Sequence, residues 1–269
     1  GVIADFEATE HAETINEHLS WLNRVDFKDW VPPALVYFKR FRQQPKLLAE
    51  FFQSLERLTY FLLVTKVGIN ERIETYAALT KEIEPETFKG DLAALTTLTL
   101  TDAQKRKFVA ALDGDVYDDL PKARMALVLR LESLVRAPGV QLQDAVSLEH
   151  VLPQTPPDGS DWIKWFPDED ERDGWTHRLA NLVPLDRNKN SSASNYDFAK
   201  KKDAYFRGKG TASPFVLTQE VRSEGEWTPT LLTARQKRLV NVLSTHWNLE
   251  IAADNILPAA AVTAGGLTS

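Results

Sequence analysis

The apolar residues of the first half of this chain recur at helical spacing, and that pattern stops at Pro138-Gly139. From Leu47 to Leu62, leucine and phenylalanine return every three or four residues, which places them on one face of a helix. Shorter runs of the same kind lie at residues 12–22 and 121–134. The spacing therefore predicts a helical domain over residues 1–138.

The second half follows a different pattern. Two short apolar runs, Val151-Leu152 and residues 182–185, lie between polar loops and predict small strands. Helical patterns follow from Asn195 and from Thr228-Pro229, where a proline at the first helical position is favourable. We expect a mainly α protein in which a second domain, residues 139–250, holds a small two-stranded module and a C-terminal helix. The remaining residues, 251–269, are predicted to be a tail.

Composition excludes several classes of protein. The chain has no cysteine, so disulfides, thiolate chemistry and cysteine-based zinc sites are excluded, in keeping with a cytoplasmic location. No apolar run approaches the roughly 18 residues of a membrane-spanning helix, and the N-terminus lacks the order of a signal peptide. Because the chain starts at Gly1 without a methionine, we expect it to be part of a longer protein.

Charge is distributed unevenly along the chain. The net charge of −6 does not favour nucleic-acid binding, since phosphate contacts require lysine and arginine. Residues 158–173 hold seven acidic side chains against two basic ones, whereas residues 187–209 hold seven basic against two acidic. A local basic segment therefore follows the acidic one.

A candidate site lies within the second predicted domain. Glu149 offers a hard oxygen ligand suited to Mg²⁺ or Mn²⁺, and Asn190 offers a neutral carbonyl oxygen as a second ligand. The adjacent His150 can take a proton from water near neutral pH, because an ordinary histidine has a pKa of about 6.5. Consecutive strand residues point to opposite faces, so a bulge or strand end is needed to bring both into one cavity. Asn190 has an alternative role as a cap of the following helix.

These residues resemble a known family. The motifs Glu149-His150-Val151-Leu152-Pro153-Gln154 and Asn181-Leu182, followed by Asn190 and by the segment 195–200, are similar to an HNH nuclease with the ββα-metal fold. With residues 177–182 included, the chain resembles the C-terminal region of GmrSD-type, modification-dependent restriction enzymes. Among those enzymes, the SspE-type effectors that sense phosphorothioate-modified DNA are the nearest in these motifs.

The resemblance implies a role for each matching residue. Glu149, where many HNH enzymes have aspartate, and Asn190 would hold one divalent metal ion, Mg²⁺ or Mn²⁺. His150 would be the general base, and Asn181 would brace the loop and help orient it. His177 and Asn195 would support the site. The candidates for contact with the DNA backbone are Lys189, Lys200, Lys201 and Arg207.

The resemblance also implies a biological setting. It predicts a nicking DNA endonuclease of a bacterial phage-defence system that acts on double-stranded DNA in the cytoplasm, with no membrane partner. A nucleotide-hydrolysing N-terminal domain of the same chain would be missing here, and a homo-oligomer is compatible with double-strand cleavage. Two alternatives stay open: an RNA-cleaving HNH nuclease, and a non-catalytic DNA-binding or scaffold module. For Lys200-Lys201-Lys202, a solvated helix face is as good an interpretation as backbone contact.

Overall fold

The computed structural model describes residues 11–137, 146–186, 195–207 and 213–251. It is mainly helical, which confirms the predicted fold class. The helices of the first half are α1 (Ala12–Asn23), α2 (Val31–Phe41), α3 (Pro45–Val64), α4 (Ile69–Ile83), α5 (Asp102–Leu112), α6 (Val116–Asp119) and α7 (Arg124–Val135). Those of the second half are α8 (Asp161–Trp165), α9 (Glu169–Thr176), α10 (Phe198–Arg207), α11 (Val216–Ser223) and α12 (Pro229–His246).

Helix α3 is the centre of the helical half, as its apolar spacing predicts. Phe51 and Leu55 are fully buried, and α1 and α2 pack against the same helix. Pro45 occupies the first turn of α3, where a missing amide hydrogen costs nothing because that hydrogen would have no partner in the helix. Pro45 therefore marks a helix start, as Pro32 does in the first turn of α2.

A two-stranded antiparallel sheet carries the second half. Strand β1 (Val146–His150) pairs with β2 (Leu182–Asp186), and His150 lies opposite Leu182. The sequence predicted the first strand at Val151-Leu152, which was wrong by a few residues. Those two residues are fully buried beyond the strand, so their apolar character reflects core packing rather than sheet pairing.

The C-terminal helix α12 contacts both halves of the chain. Its Gln236 accepts a hydrogen bond from Ala180 N at 2.8 Å and donates one to Asp113 of the helical half at 3.1 Å. Just beyond its last turn, Trp247 Nε1 donates to Glu56 of α3 at 3.1 Å. Within the described residues, no helix is long and apolar enough to cross a membrane.

Candidate active site

Glu149 and His150 lie at the very end of β1. The strand ends at His150, and Val151 N instead donates to Asn181 O at 3.0 Å. Both side chains are buried, with exposed fractions of 8% and 7%. The two residues therefore lie at a strand end, where Glu149 contacts Lys201 of α10 and His150 contacts His177. That both side chains serve one site stays a prediction.

Lys201 of α10 is the buried partner of Glu149. Its Nζ donates to Glu149 Oε1 at 2.8 Å and to the carbonyl oxygen of His150 at 2.6 Å. Burial lowers the pKa of Lys201, and the charge of Glu149 opposes that shift. An ammonium group placed between a carboxylate and a carbonyl fastens helix α10 to the end of β1.

This position contradicts the expectation that Lys201 contacts the DNA backbone. Only 1% of the residue is exposed, so the prediction was wrong for the arrangement that the structure shows. The physical reason is helical geometry: Lys201 follows the buried Phe198 by three residues and therefore shares its inward face. Lys200 is exposed, with its Nζ 3.5 Å from the centre of the Tyr196 ring, and it stays a candidate.

His150 is enclosed by three side chains. Its Nε2 lies 3.2 Å from His177 Nδ1, and its Nδ1 lies 3.2 Å from Gln154 Nε2. The Tyr117 ring of α6 packs edge-on against the imidazole with the ring centres 4.3 Å apart. The structure thus brings His177, a predicted supporting residue, into contact with the predicted general base.

The environment of His150 lowers its pKa to about 3, far below the ordinary value of 6.5. Burial is the largest cause, and the charges of His177, Lys201 and Arg124 act in the same direction. The imidazole is therefore neutral at physiological pH and has a lone pair available for a proton. Sequence reasoning assumed an unperturbed histidine, because it could not see the enclosure.

Asn181 uses its whole side-chain amide to hold the loop behind this pair. Its Oδ1 accepts from Leu152 N at 2.7 Å and from Trp227 Nε1 at 3.1 Å. Its Nδ2 donates to the carbonyl oxygens of Leu152 at 2.9 Å and Thr176 at 2.8 Å. The residue is fully buried in the 3-10 turn Leu179–Asn181, so the geometry matches a brace between the two strands.

The other predicted site residues are less informative. Asn195 is exposed in the turn before α10, and Arg207 is the last residue of that helix, with a side chain that is not described. Lys189 and Asn190 lie outside the described residues. The predicted metal ligation by Asn190 therefore stays a prediction.

The donor set can be tested in part for Mg²⁺ or Mn²⁺. Glu149 supplies the hard carboxylate oxygen that these ions prefer, buried beside the predicted base. Its Oε1 accepts from Lys201, so the carboxylate already has one cationic partner. A metal ion held by Glu149 with few other protein ligands would leave positions for water and phosphate oxygens, and this ligation stays a prediction.

A second group of ligand-type side chains, His18, Glu56 and His246, does not fit a metal ion. Their ligand atoms lie within 4.8 Å of one another, and Glu56 Oε2 is 2.6 Å from His18 Nδ1. However, Arg130 Nε donates to Glu56 Oε1 at 2.9 Å and Arg130 Nη2 lies 2.7 Å from His246 Nε2. The guanidinium is fully buried, so it already supplies the positive charge of this cluster.

Sequence reasoning missed Tyr117 and Asp118 altogether. Both lie in α6, far from the motif in sequence, and they reach the site through tertiary packing. The N–H groups of Val116 and Tyr117 donate to the carbonyl oxygen of His177, each at 3.1 Å. No local pattern signals such a contact. Gln154, four residues after His150, was visible in the motif but had no assigned role.

An open cavity of about 920 Å³ lies beside the site rather than at it. It is lined by residues of α5, α9 and α12, among them Trp175, Arg178 and Lys237. The Glu149–His150 pair does not line this cavity. Arg178 directly follows His177 in sequence, and its guanidinium stacks on Trp175 at 4.9 Å.

Fold and site together define a mainly helical protein with a two-stranded module that holds a buried carboxylate–histidine pair. The family model of GmrSD restriction endonucleases, C-terminal domain, matches residues 101–242, more than half of the chain. The chain belongs to this family, which confirms the predicted membership. It therefore contains a restriction-endonuclease-type module, and DNA is the substrate class that this implies. No curated protein matches the chain.

Proposed function

We propose that this chain contains an HNH-type, metal-dependent endonuclease that nicks DNA. The observation that carries the proposal is the buried Glu149–His150 pair at the end of β1, inside the segment matched by the restriction-endonuclease family. A carboxylate and a neutral imidazole on consecutive residues could supply one cation ligand and one proton acceptor. Metal-dependent phosphodiester hydrolysis uses both.

The proposed reaction starts with proton transfer from a water molecule to His150. The water oxygen forms a bond to phosphorus in line with the 3′ oxygen, the P–O3′ bond breaks, and the leaving oxygen takes up a proton. One Mg²⁺ or Mn²⁺ ion, held by Glu149 and Asn190, would supply positive charge beside the phosphate and the leaving oxygen. The nearby phosphate is negative, and negative charge raises the pKa of a histidine, so substrate binding strengthens His150 as a base.

Lys201 and Asn181 support the proposal by fixing the two reacting side chains. Lys201 holds the Glu149 carboxylate and the backbone of His150 together through two short hydrogen bonds. Asn181 holds the chain directly after β1 through Leu152. A base and a ligand attached to packed elements stay within the narrow geometry that hydrolysis requires. Contacts to the DNA backbone would come from Lys189, Lys200 and Arg207.

The biological setting follows from the family. We propose that the module cuts modified double-stranded phage DNA, such as phosphorothioate DNA, in the bacterial cytoplasm under control of a nucleotide-hydrolysing N-terminal domain. One site cuts one strand per visit. A double-strand break then requires a second copy of the chain or a second event.

The test is nicking of supercoiled plasmid by the purified chain with Mg²⁺ or Mn²⁺ and with EDTA. We expect metal-dependent conversion to open circles, and a loss of at least about 100-fold in His150→Ala, because general-base catalysis contributes roughly 10²–10⁴-fold. His11→Ala is the matched control, since His11 lies at the start of α1 away from the site. His150→Ala with parental activity would refute the mechanism.

The same assay separates the alternatives. Cleavage of a structured RNA tested beside the plasmid would indicate an RNA-cleaving HNH nuclease. This comparison is needed because the motif acts on a phosphodiester and does not distinguish ribose from deoxyribose. A folded chain that cuts neither substrate and shows no Mn²⁺ binding by calorimetry would instead be a non-catalytic binding or scaffold module.

A further inference from the structure

Both ring nitrogens of His150 have a hydrogen-bond partner, and one of them leads to a carboxylate of the helical half. Nδ1 faces Gln154 Nε2 and Nε2 faces His177 Nδ1, each at 3.2 Å. On the far side of the second ring, His177 Nε2 lies 3.4 Å from Asp118 Oδ2. The three side chains thus form a continuous row from Asp118 to His150.

With both imidazoles neutral and the Gln154 amide nitrogen facing His150, one proton arrangement suits every contact in this row. The amide nitrogen of Gln154 can only donate, so His150 Nδ1 accepts and the proton of the neutral ring is on Nε2. That Nε2–H donates to His177 Nδ1, which leaves the proton of His177 on its own Nε2, the nitrogen that lies 3.4 Å from the Asp118 carboxylate. The reverse order would place a nitrogen lone pair against a carboxylate, which is repulsive.

Helix α6 holds this row in place from the helical half of the chain. Besides Asp118, it contributes the N–H groups of Val116 and Tyr117, which donate to His177 O. The Tyr117 ring stacks on His177 with the ring centres 5.6 Å apart and meets His150 edge-on. Arg124 stacks on Tyr117, its guanidinium 3.9 Å from the ring centre. His177 is therefore oriented through its backbone, its ring face and its Nε2.

We infer that Asp118 and His177 are positioning residues that fix the tautomer of His150, so that Nδ1 is the nitrogen that takes the proton from water. This inference rests on the proposed nuclease function and adds residues of the helical half to its site. Gln154 is exposed and lies in a loop, so its amide is the contact that the attacking water replaces. Histidine bases and ligands are commonly oriented by a second group of this kind.

The first arm of the test compares two adjacent aspartates of α6. Asp118→Asn keeps the size of the side chain and removes its charge; Asp119→Asn does the same one residue later. The two carboxylates are about equally exposed, at 64% and 66%, and Asp119 pairs with Lys66 instead, at 3.0 Å. We expect Asp118→Asn to lower kcat for plasmid nicking about 10-fold with KM unchanged, as is usual for an orienting partner.

Asp119→Asn is expected to stay within about twofold of the parent, while Asp118→Glu recovers part of the lost kcat, since it restores the carboxylate. Equal kcat values for Asp118→Asn and Asp119→Asn in an active nuclease would overturn the inference and leave the proposed function intact. A KM effect with constant kcat would also overturn it, because that points to substrate binding.

The second arm does not depend on activity. In the ¹⁵N-histidine-labelled chain, NMR distinguishes protonated from unprotonated ring nitrogens, and His150→Ala and His177→Phe assign the signals among five histidines. We expect His150 and His177 both to carry their proton on Nε2 at neutral pH. A proton on His150 Nδ1 would overturn the inference. If NMR shows the expected tautomers but the chain does not nick DNA, the proposed nuclease function is refuted while the tautomer assignment stands.

Discussion

Asn181 has four hydrogen bonds in a space that excludes solvent, so its replacement has a predictable cost. In Asn181→Ala the buried N–H groups of Leu152 and Trp227 lose their acceptor, and two carbonyl oxygens lose a donor. Because each buried unsatisfied group costs about 1–3 kcal/mol, we expect the free energy of unfolding to fall by about 3–5 kcal/mol. Urea unfolding followed by circular dichroism measures this difference.

Trp227→Phe is the matched control for that experiment. It removes the indole N–H that donates to Asn181 Oδ1 together with part of the ring volume, and keeps an aromatic ring in the buried position. A loss of about 1–2 kcal/mol is expected, well below that of Asn181→Ala. Equal losses in the two variants would show that ring packing, rather than the amide network, stabilises this loop.

The side chains of the candidate site differ in how far the sequence could predict them. Glu149 and His150 were proposed because their residue types can bind a cation and accept a proton, and Asn181 was added because its spacing resembles the family motif. The burial of Lys201 was missed because a run of three lysines usually forms a solvated face. Its spacing of three from Phe198 was the available signal. Asp118 left no signal at all, since its contact with His177 depends on tertiary packing alone.

The first turn of helix α11 is capped by a carboxylate of α7, so the stability of α11 depends on the helical half of the chain. Glu132 is fully buried, and its two oxygens accept from Val216 N at 2.7 Å and Leu217 N at 2.9 Å. These are N–H groups of the first turn, which have no partner inside the helix. A carboxylate there also interacts favourably with the positive end of the helix dipole.

We therefore predict that Glu132→Ala lowers the free energy of unfolding by about 2–4 kcal/mol, since two buried N–H groups and the Arg136 guanidinium lose their acceptor. Hydrogen exchange followed by mass spectrometry should show faster exchange in residues 216–223. The control is Glu84→Ala, which removes an exposed carboxylate at the end of α4. Unchanged exchange of α11 in Glu132→Ala would contradict the capping role.

The long helices could be predicted and the short elements could not. Helix α3 repeats its apolar spacing over five turns, which outweighs any local ambiguity. Helix α6 has four residues, too few to show a period, although Asp115 caps it through Asp118 N at 2.8 Å. Strand β1 was misplaced because buried residues after a strand look like the strand itself.

Polar contacts connect residues before the predicted boundary at residues 138–139 with residues after it. Helix α6 reaches His177, Glu132 caps α11, and Gln236 of α12 returns to Asp113. The family match, which begins in α5, includes α6 and α7 together with the site. We therefore expect the helical half to influence the site directly, and the boundary itself stays a prediction.

The cluster around Glu56 connects four helices of the molecule, so its charge state should govern stability in acid. Burial by itself raises the pKa of Glu56. Hydrogen bonds to His18 and His246 and the charge of Arg130 more than offset this and hold the pKa below the ordinary 4.5. A carboxyl group with a lowered folded-state pKa stabilises the fold above its unfolded-state pKa, and that contribution disappears as pH falls through the folded-state value.

We predict that the contribution of Glu56 to the free energy of unfolding is nearly constant above pH 4.5 and decreases steadily as pH falls below that value. In Glu56→Gln the buried Arg130 loses its charged partner, so stability at pH 7 should fall by about 3–5 kcal/mol, while the remaining dependence on acid becomes shallower. Glu50→Gln, an exposed position of the same helix, is the control. Urea titrations from pH 7 to pH 3 measure both effects. The free energy of unfolding could instead fall as steeply with decreasing pH in Glu56→Gln as in the parent. Other carboxylates would then cause the acid sensitivity, because removing the charge of Glu56 from the cluster that links α1, α3, α7 and α12 would have left the pH dependence unchanged.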